Sequence, residues 1–450
     1  MKKLINVQKW REWLFLVFTV FAVTYFIYTD FNIRQMLGFG VLCVFLLLAA
    51  FSRIHLSSVK IAYAIFAGCL LIFFCLPFAK HDKMTISYML AMVISVGFVI
   101  VSEPKESVIK KSLTLIQITG CVFMILLLVF RLFPALYWDK VFPLLSAVTQ
   151  EEASIYIKKG YSIPLAGGYT YGNLMFSLAF FASVGRFLPL AGSTKGEKSF
   201  ALLSAAAAFL GLILSGRRSE LLSVIIVALL ALIIYRRKLK GKKEWLKFIG
   251  GCLAVVVILA LVIWVLYKMN MLTRYLKTIR SIMANPNQEL KNLLGGKNDI
   301  TSGRIELWKI AVEEIKGSPI LGIGWARFAD SIPAAFSAVH GRGVVMNVHN
   351  DYLQHLCELG VVGTIAILLP QGFLLVTGIR QARRLRWSGK KQGLIAALNY
   401  LSVCTQLFYA VLGLIDPCFY QMSYWIFYPI AIICLVFSVQ MERSSQNNGE

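Results

Sequence analysis

Three groups of residues in this chain have types and spacing suited to chemistry on a charged substrate. The first is Leu214-Ser215-Gly216-Arg217-Arg218-Ser219-Glu220, a tight turn with two adjacent arginines between two apolar runs. Guanidinium forks bind phosphate bidentately, and a turn that opens a helix adds N–H donors, so the pair suits an anion clamp. The plainer reading is a snorkelling pair at a helix end. The second group is Thr301-Ser302-Gly303-Arg304-Ile305-Glu306-Leu307-Trp308. Ser302 is placed to cap a helix whose apolar face is Ile305, Trp308, Val312 and Ile315, and which stops near Gly317, ahead of Pro319. Arg304 then falls in the first turn, where the helix dipole weakly opposes a cation. An ordinary solvated arginine satisfies the same pattern. The third group is Val348-His349-Asn350-Asp351-Tyr352-Leu353-Gln354-His355, leading into an apolar run. A neutral imidazole at the start of such a helix is a natural general base near neutral pH. His349 and His355 stand about 240° apart around a helix, so they do not chelate one metal as an i, i+4 pair would.

What is missing narrows the chemistry. The chain has no P-loop, no dinucleotide fingerprint, no G-x-S-x-G elbow and no Asp-x-Asp pair to hold a divalent metal on a nucleotide sugar. The nine cysteines show no CxxC and no metal-ligand spacing. The expectation is group transfer without metal or cofactor, from a donor already activated by a good leaving group. Arginines would then neutralise the departing phosphate.

The elements that must position these residues are membrane helices. Of 450 residues 58% are hydrophobic and 15% charged, and the mean hydropathy is +0.71. That balance excludes a soluble domain, a disulfide scaffold, a disordered chain and a nucleic-acid binder. A hydrocarbon core needs roughly 20 apolar residues per helix. The candidate spans are 13–28, 35–51, 61–78, 84–101, 113–130, 174–190, 200–214, 221–235, 248–267, 359–377, 394–414 and 419–439. The expected fold is therefore an all-α polytopic membrane protein of about 12 transmembrane helices. The first span lacks a small-residue cleavage site and reads as a retained helix.

With both termini cytoplasmic, the inner segments hold more than half of the 46 basic residues, including the run from Arg236 to Lys247. The short outer connections are sparse in them, which favours that orientation. The expected organisation is a bundle of spans 1–9 over residues 1–267, with an outer loop at about 131–171. A helical extracytoplasmic segment follows over 268–358, and spans 10–12 with a cytoplasmic tail over 359–450. All three groups of candidate residues then face outward. Two adjacent arginines in a tight outer turn run against the positive-inside bias, and this favours the clamp reading.

Together these segments resemble the O-antigen ligase and O-antigen polymerase (Wzy) superfamily of bacterial membrane glycosyltransferases. The resemblance covers roughly residues 171–363. Its densest part is Gly303-Arg304, Trp308, Pro319-Ile320-Leu321-Gly322-Ile323-Gly324 and Phe328, followed by His349-Asn350, Leu353, Glu358-Leu359-Gly360 and Gly363. Gly172-Asn173, at the start of the sixth span, resembles a family feature more weakly. The resemblance implies a metal-independent enzyme of the bacterial cytoplasmic membrane with its site facing the exterior. Its donor would be a glycan on undecaprenyl diphosphate, and its acceptor another glycan or lipid-linked sugar. His349 would be the base that deprotonates the acceptor hydroxyl, and Arg304 and a turn arginine would bind the donor diphosphate. Trp308, Asn350 and Asn173 would support them. The family usually places a small residue, then arginine, then a small residue in the turn. Arg218 fits the arginine slot and Arg217 occupies the usually small one, which leaves open which of the two faces the donor. A ligase and a polymerase share these parts and differ in acceptor, with a slight lean here to the ligase type. A flippase of lipid-linked sugars would call for ionisable residues in mid-span and internal repeats. The spans carry almost no central charge, and no internal repeat is visible.

Overall fold

The computed structural model of the chain describes residues 7–30, 55–158, 169–187, 194–235, 304–333, 347–385 and 390–447, with positions 40, 43, 264 and 267. The spans expected at 35–51 and 248–267 lie outside the described residues except at those four positions. So do Ser302, Gly303 and much of the expected outer segment. Contacts divide the chain into two compact units, residues 1–227 with 306–450, and residues 228–305.

Among the described residues the secondary structure is helical throughout. The helices are α1 (Val7–Asp30), α2 (Ser58–Cys75), α3 (Lys83–Val101), α4 (Glu106–Leu132), α5 (Ala147–Lys158), α6 (Tyr169–Phe187) and α7 (Lys195–Ser215). They continue with α8 (Arg218–Tyr235), α9 (Arg304–Gly317), α10 (Asp351–Arg384), α11 (Lys390–Leu412) and α12 (Met422–Asn447). Seven of them, α2, α4, α7, α8, α10, α11 and α12, are long and apolar enough to cross a membrane.

Local sequence fixes several starts. Ser57 and Asp82 cap α2 and α3 by accepting from Lys60 N and Thr85 N, and Thr194 with Glu197 forms a capping box ahead of α7. At the ends facing the expected cytoplasm, cations close the C-terminus of α3. Arg11 Nε donates to the Val101 carbonyl at 3.1 Å and Lys60 Nζ to the Ile100 carbonyl at 2.6 Å. These are the last carbonyls of a helix, where the dipole favours positive charge.

Helices α11 and α12 form the middle of the first unit, with 83% and 89% of their apolar windows buried, against 33% for α4. Helix α6 packs against α7 and α11, and α10 against α2. At one end of this packing, Phe66 of α2 stacks on Trp425 of α12 at 5.9 Å, and Tyr424 on Tyr428 at 4.8 Å. The buried rings of Tyr409 and Phe419 also meet Tyr424. This aromatic floor supports the short connection from Gly413 to Gln421, which carries part of the site.

Candidate active site

Helix α7 ends at Gly216, whose φ of +80° is left-handed and whose N–H donates to the Ile213 carbonyl. Glycine adopts that conformation without a Cβ penalty, and here it lets α8 begin only two residues later. Arg217 is turned inward. Its Nε meets Glu220 Oε1 at 2.7 Å and its Nη2 meets Asp416 Oδ2 at 3.2 Å. All three side chains are out of solvent, with 7%, 0% and 4% exposure for Arg217, Glu220 and Asp416. Arg218, the next residue, is exposed. The two readings of the arginine pair therefore separate, with Arg217 in a buried ion-pair network and Arg218 at the surface.

The other oxygen of Asp416 faces His349. Nδ1 of the ring lies 3.6 Å from Asp416 Oδ1, and the side chain is 36% exposed. Nδ1 itself is buried, so the exposed part of the ring is its Nε2 side. With both carboxylates ionised, Arg217, Glu220 and Asp416 sum to one negative charge. A proton taken up by His349 brings the four residues to neutrality. The Asp416 carboxylate is thus placed to face the charge that the ring would carry if it acted as a general base.

His349 is held in place from both sides. Its φ is +53°, a strained conformation for a non-glycine residue that persists only where neighbours enforce it. On the preceding side, the Trp308 indole N–H donates to the Val348 carbonyl at 2.9 Å, and the Val348 N–H donates to Gln354 Oε1 at 2.7 Å. On the following side, Asn350 caps α10 by accepting from Leu353 N at 3.0 Å, and its amide donates to the Leu414 carbonyl. Asp351 fastens the Gly413–Gln421 connection. Its N–H donates to the Gly413 carbonyl, and its carboxylate accepts from the main-chain N–H groups of Cys418 and Phe419. The segments carrying His349 and Asp416 are thereby bonded to each other on both sides of the dyad.

Cys418 in this connection is a packed thiol rather than a nucleophile. Burial and the nearby carboxylates of Asp351, Asp416 and Glu220 push it well above the usual thiol range.

The quoted glycines and Glu358 build the platform beneath. Helix α10 breaks at Gly360, with φ +63° and ψ −170°, which frees carbonyls at the end of its first segment. The loop after α9 supplies their donors. Ile323 N–H donates to the Cys357 carbonyl and Gly324 N–H to the Glu358 carbonyl, both at 2.9 Å. In return Val361 N–H donates to Pro319 and Val362 N–H to Ile320. Backbones this close leave no room for side chains. A Cβ at Gly360 would lie 2.2 Å from the Ile320 oxygen, and one at Gly322 would lie 2.3 Å from the Glu358 carbonyl carbon. Glu358, buried, accepts from four donors: Ala326 N–H, Phe328 N–H, Gln354 Nε2 and the Tyr420 hydroxyl. A fully satisfied carboxylate of this kind ties loop, helix and connection together.

The structure refines several sequence expectations. Helix α9 ends at Gly317 as expected, but its face is rotated. Leu307 and Ala311 are the buried residues, Trp308 and Ile315 flank them, and Val312 is 40% exposed. Small Ala311 allows the close approach, so burial centres on it. Arg304 is the first residue of α9 and belongs to the second compact unit. Asn173 is buried in α6, where its main-chain carbonyl accepts from Ser177 Oγ. Asp416 and Glu220 were not among the sequence-derived candidates. Both had a signal: Asp416 is the acid in the short connection between the last two spans, and Glu220 is an acid three residues after Arg217 at the mouth of a span.

Residues 203–368 match the family model Wzy_C, described as O-antigen ligase. The matched stretch contains Arg217, Arg218, Arg304, Trp308, His349 and Asn350, but not Asp416. No curated protein matches the chain. The matched stretch makes this part of the chain similar to O-antigen ligases, and the seven long apolar helices suit a multi-pass membrane protein.

Proposed function

We propose that this member of the O-antigen ligase/polymerase superfamily transfers a glycan from undecaprenyl diphosphate to a sugar hydroxyl at the outer face of the cytoplasmic membrane, without a metal. The observation that carries the proposal is the His349–Asp416 pair, joined through Arg217 to the turn that presents Arg218. His349 Nε2 takes the proton from the acceptor hydroxyl as its oxygen bonds to the anomeric carbon of the donor sugar. The bond from that carbon to the diphosphate oxygen breaks, and the anomeric centre inverts. The bonding electrons leave with the lipid diphosphate, whose growing negative charge is met by Arg218. Arg304 joins it by the family resemblance, and Arg217 acts by holding Asp416. Trp308 and Asn350 act by fixing His349, and Asn173 remains a supporting residue by resemblance alone.

The leading acceptor class is a terminal acceptor, as in a ligase. The test incubates purified protein with one undecaprenyl-diphosphate-linked oligosaccharide, with and without a second acceptor. The ligase reading expects no product until that acceptor is added; a ladder from the donor alone would replace it with the polymerase reading. His349→Ala that transfers glycan at the wild-type rate would end the general-base assignment. Arg218→Ala is expected to lower kcat, with a smaller effect on the donor KM.

A further inference from the structure

The second segment of α10, from Val361 to Arg384, has two unlike faces. Gly363, Thr364, Ile367, Leu374, Gly378 and Gln381 are buried. On the other side Ile365, Leu369, Phe373 and Val376 are exposed. Steps of four, four and three residues keep these four on one face of a helix. The helix is among those long and apolar enough to cross a membrane, and exposed apolar side chains on such a helix meet acyl chains.

The same stripe ends in arginine. Arg380 follows Val376 by four residues, and Arg383 and Arg384 follow Arg380 by three and four, so all three continue that face. All three are exposed. Length sets the depth at which they emerge. From Val361 to Arg380 the helix rises about 29 Å at 1.5 Å per residue, and a hydrocarbon core is about 30 Å thick. With Val361 at one boundary, Arg380 reaches the other, and Arg383 and Arg384 stand about one turn farther out, among the headgroups. Residues 361–384 include no acid. The carboxylate that the fold brings to the cluster is Glu442 of α12, 3.9 Å from Arg384. Three cations against one carboxylate leave an excess of positive charge at this level.

One arginine at a helix end reaches the interface whatever the lipid. Three on one face, above an apolar stripe, match a ligand with negative charge at the phosphate level and acyl chains beneath it. Guanidinium forks take phosphate oxygens bidentately. A zwitterionic lipid sets its own cation beside its phosphate, which the excess charge repels. An anionic phospholipid meets both the arginines and the stripe.

We propose that the end of α10 remote from His349 is a binding site for an anionic phospholipid, with its phosphate held by Arg380, Arg383 and Arg384 and its chains along Phe373 and Val376. The site does not rest on the transfer chemistry assigned to His349.

The test places the full chain in nanodiscs of mixed phosphatidylcholine and phosphatidylglycerol and identifies the lipids retained on release by native mass spectrometry. The wild-type chain should retain phosphatidylglycerol in preference to phosphatidylcholine. Arg380→Gln and Arg383→Gln should each lower that preference about fivefold, the worth of one cation at an anionic surface. Glu442→Gln, which takes the carboxylate from Arg384, should raise it. The double variant Lys110→Gln, Lys111→Gln removes two exposed cations at the start of α4 and should leave it unchanged. Equal retention of the two lipids by the wild-type chain overturns the proposal, as does an unchanged preference in both arginine variants. A fall in the lysine variant as large as in the arginine variants also overturns it, since the lipid would then answer to net charge alone. So does retention of glycerophosphoglycerol, the same headgroup without chains, as firmly as the lipid.

Discussion

Asp416→Asn isolates the electrostatic part of the proposed mechanism. The substitution keeps the side-chain volume and an oxygen for Arg217, and removes the charge that His349 faces. Opposite unit charges 3.6 Å apart attract by about 4–5 kcal/mol at an effective dielectric near 20. Two features reduce this. The ring is 36% exposed, and Arg217, 3.2 Å from the second Asp416 oxygen, repels the imidazolium. If about 3 kcal/mol survives, kcat falls on the order of 100-fold. The donor KM should change by less than about threefold, because the lost interaction forms only as the proton transfers. The assay follows glycan transfer from undecaprenyl-diphosphate-linked oligosaccharide by purified protein, at saturating donor, with thermal unfolding measured on the same samples. A variant that folds and keeps wild-type kcat would refute the charge argument. One that loses donor affinity at constant kcat would move Asp416 from the base to the donor side.

Three further substitutions test how the site is held. Gly360→Ala places a Cβ 2.2 Å from the Ile320 oxygen in a conformation open almost only to glycine, and should cost more than about 3 kcal/mol; its yield of monodisperse protein and its unfolding temperature should both fall. Glu358→Gln turns two amide hydrogens toward groups that already donate to this side chain, and should destabilise by about 2 kcal/mol; an unchanged unfolding temperature would count against the clamp. Trp308→Phe keeps the ring but loses the bond to the Val348 carbonyl, worth about 1 kcal/mol and so about fivefold in rate if it goes into fixing His349. Its transfer rate should drop with donor KM unchanged, whereas a shift in stability alone would make Trp308 a packing residue.

The helices were legible because hydropathy in a membrane has few alternatives: a run of apolar residues buries its backbone polar groups only by forming a helix. The same rule hid the break at Gly360. That residue stands at the start of the expected span, two positions after Glu358, where an ordinary helix entry is expected, and the loop donors of Ile323 and Gly324 satisfy the carbonyls that the interruption frees. His349 and Arg218 could be singled out as candidates from local type and expected side of the membrane. Asp416 was not, because its role arises 67 residues away in sequence, where Asp351 ties its connection to the start of α10. The platform glycines could be quoted from sequence as a pattern. Their reason, backbone packed on backbone, needed the two segments side by side.

The adjacent arginines illustrate why counting charges at a site misleads. Both stand at the mouth of α8, and as a pair they suggest a doubled clamp. Arg217 is matched by two buried carboxylates, and with both of them ionised the three groups sum to one negative charge and bring no net attraction to an anion. A diphosphate approaching this turn meets the field of Arg218 offset by that cluster while His349 is neutral. In the proposed mechanism, once His349 carries the acceptor proton the offset from that cluster disappears. The attraction is therefore weakest for the bound donor and strongest as the leaving group gains charge, which is the difference that lowers a barrier rather than a dissociation constant. The inward arginine sets that timing without touching the donor.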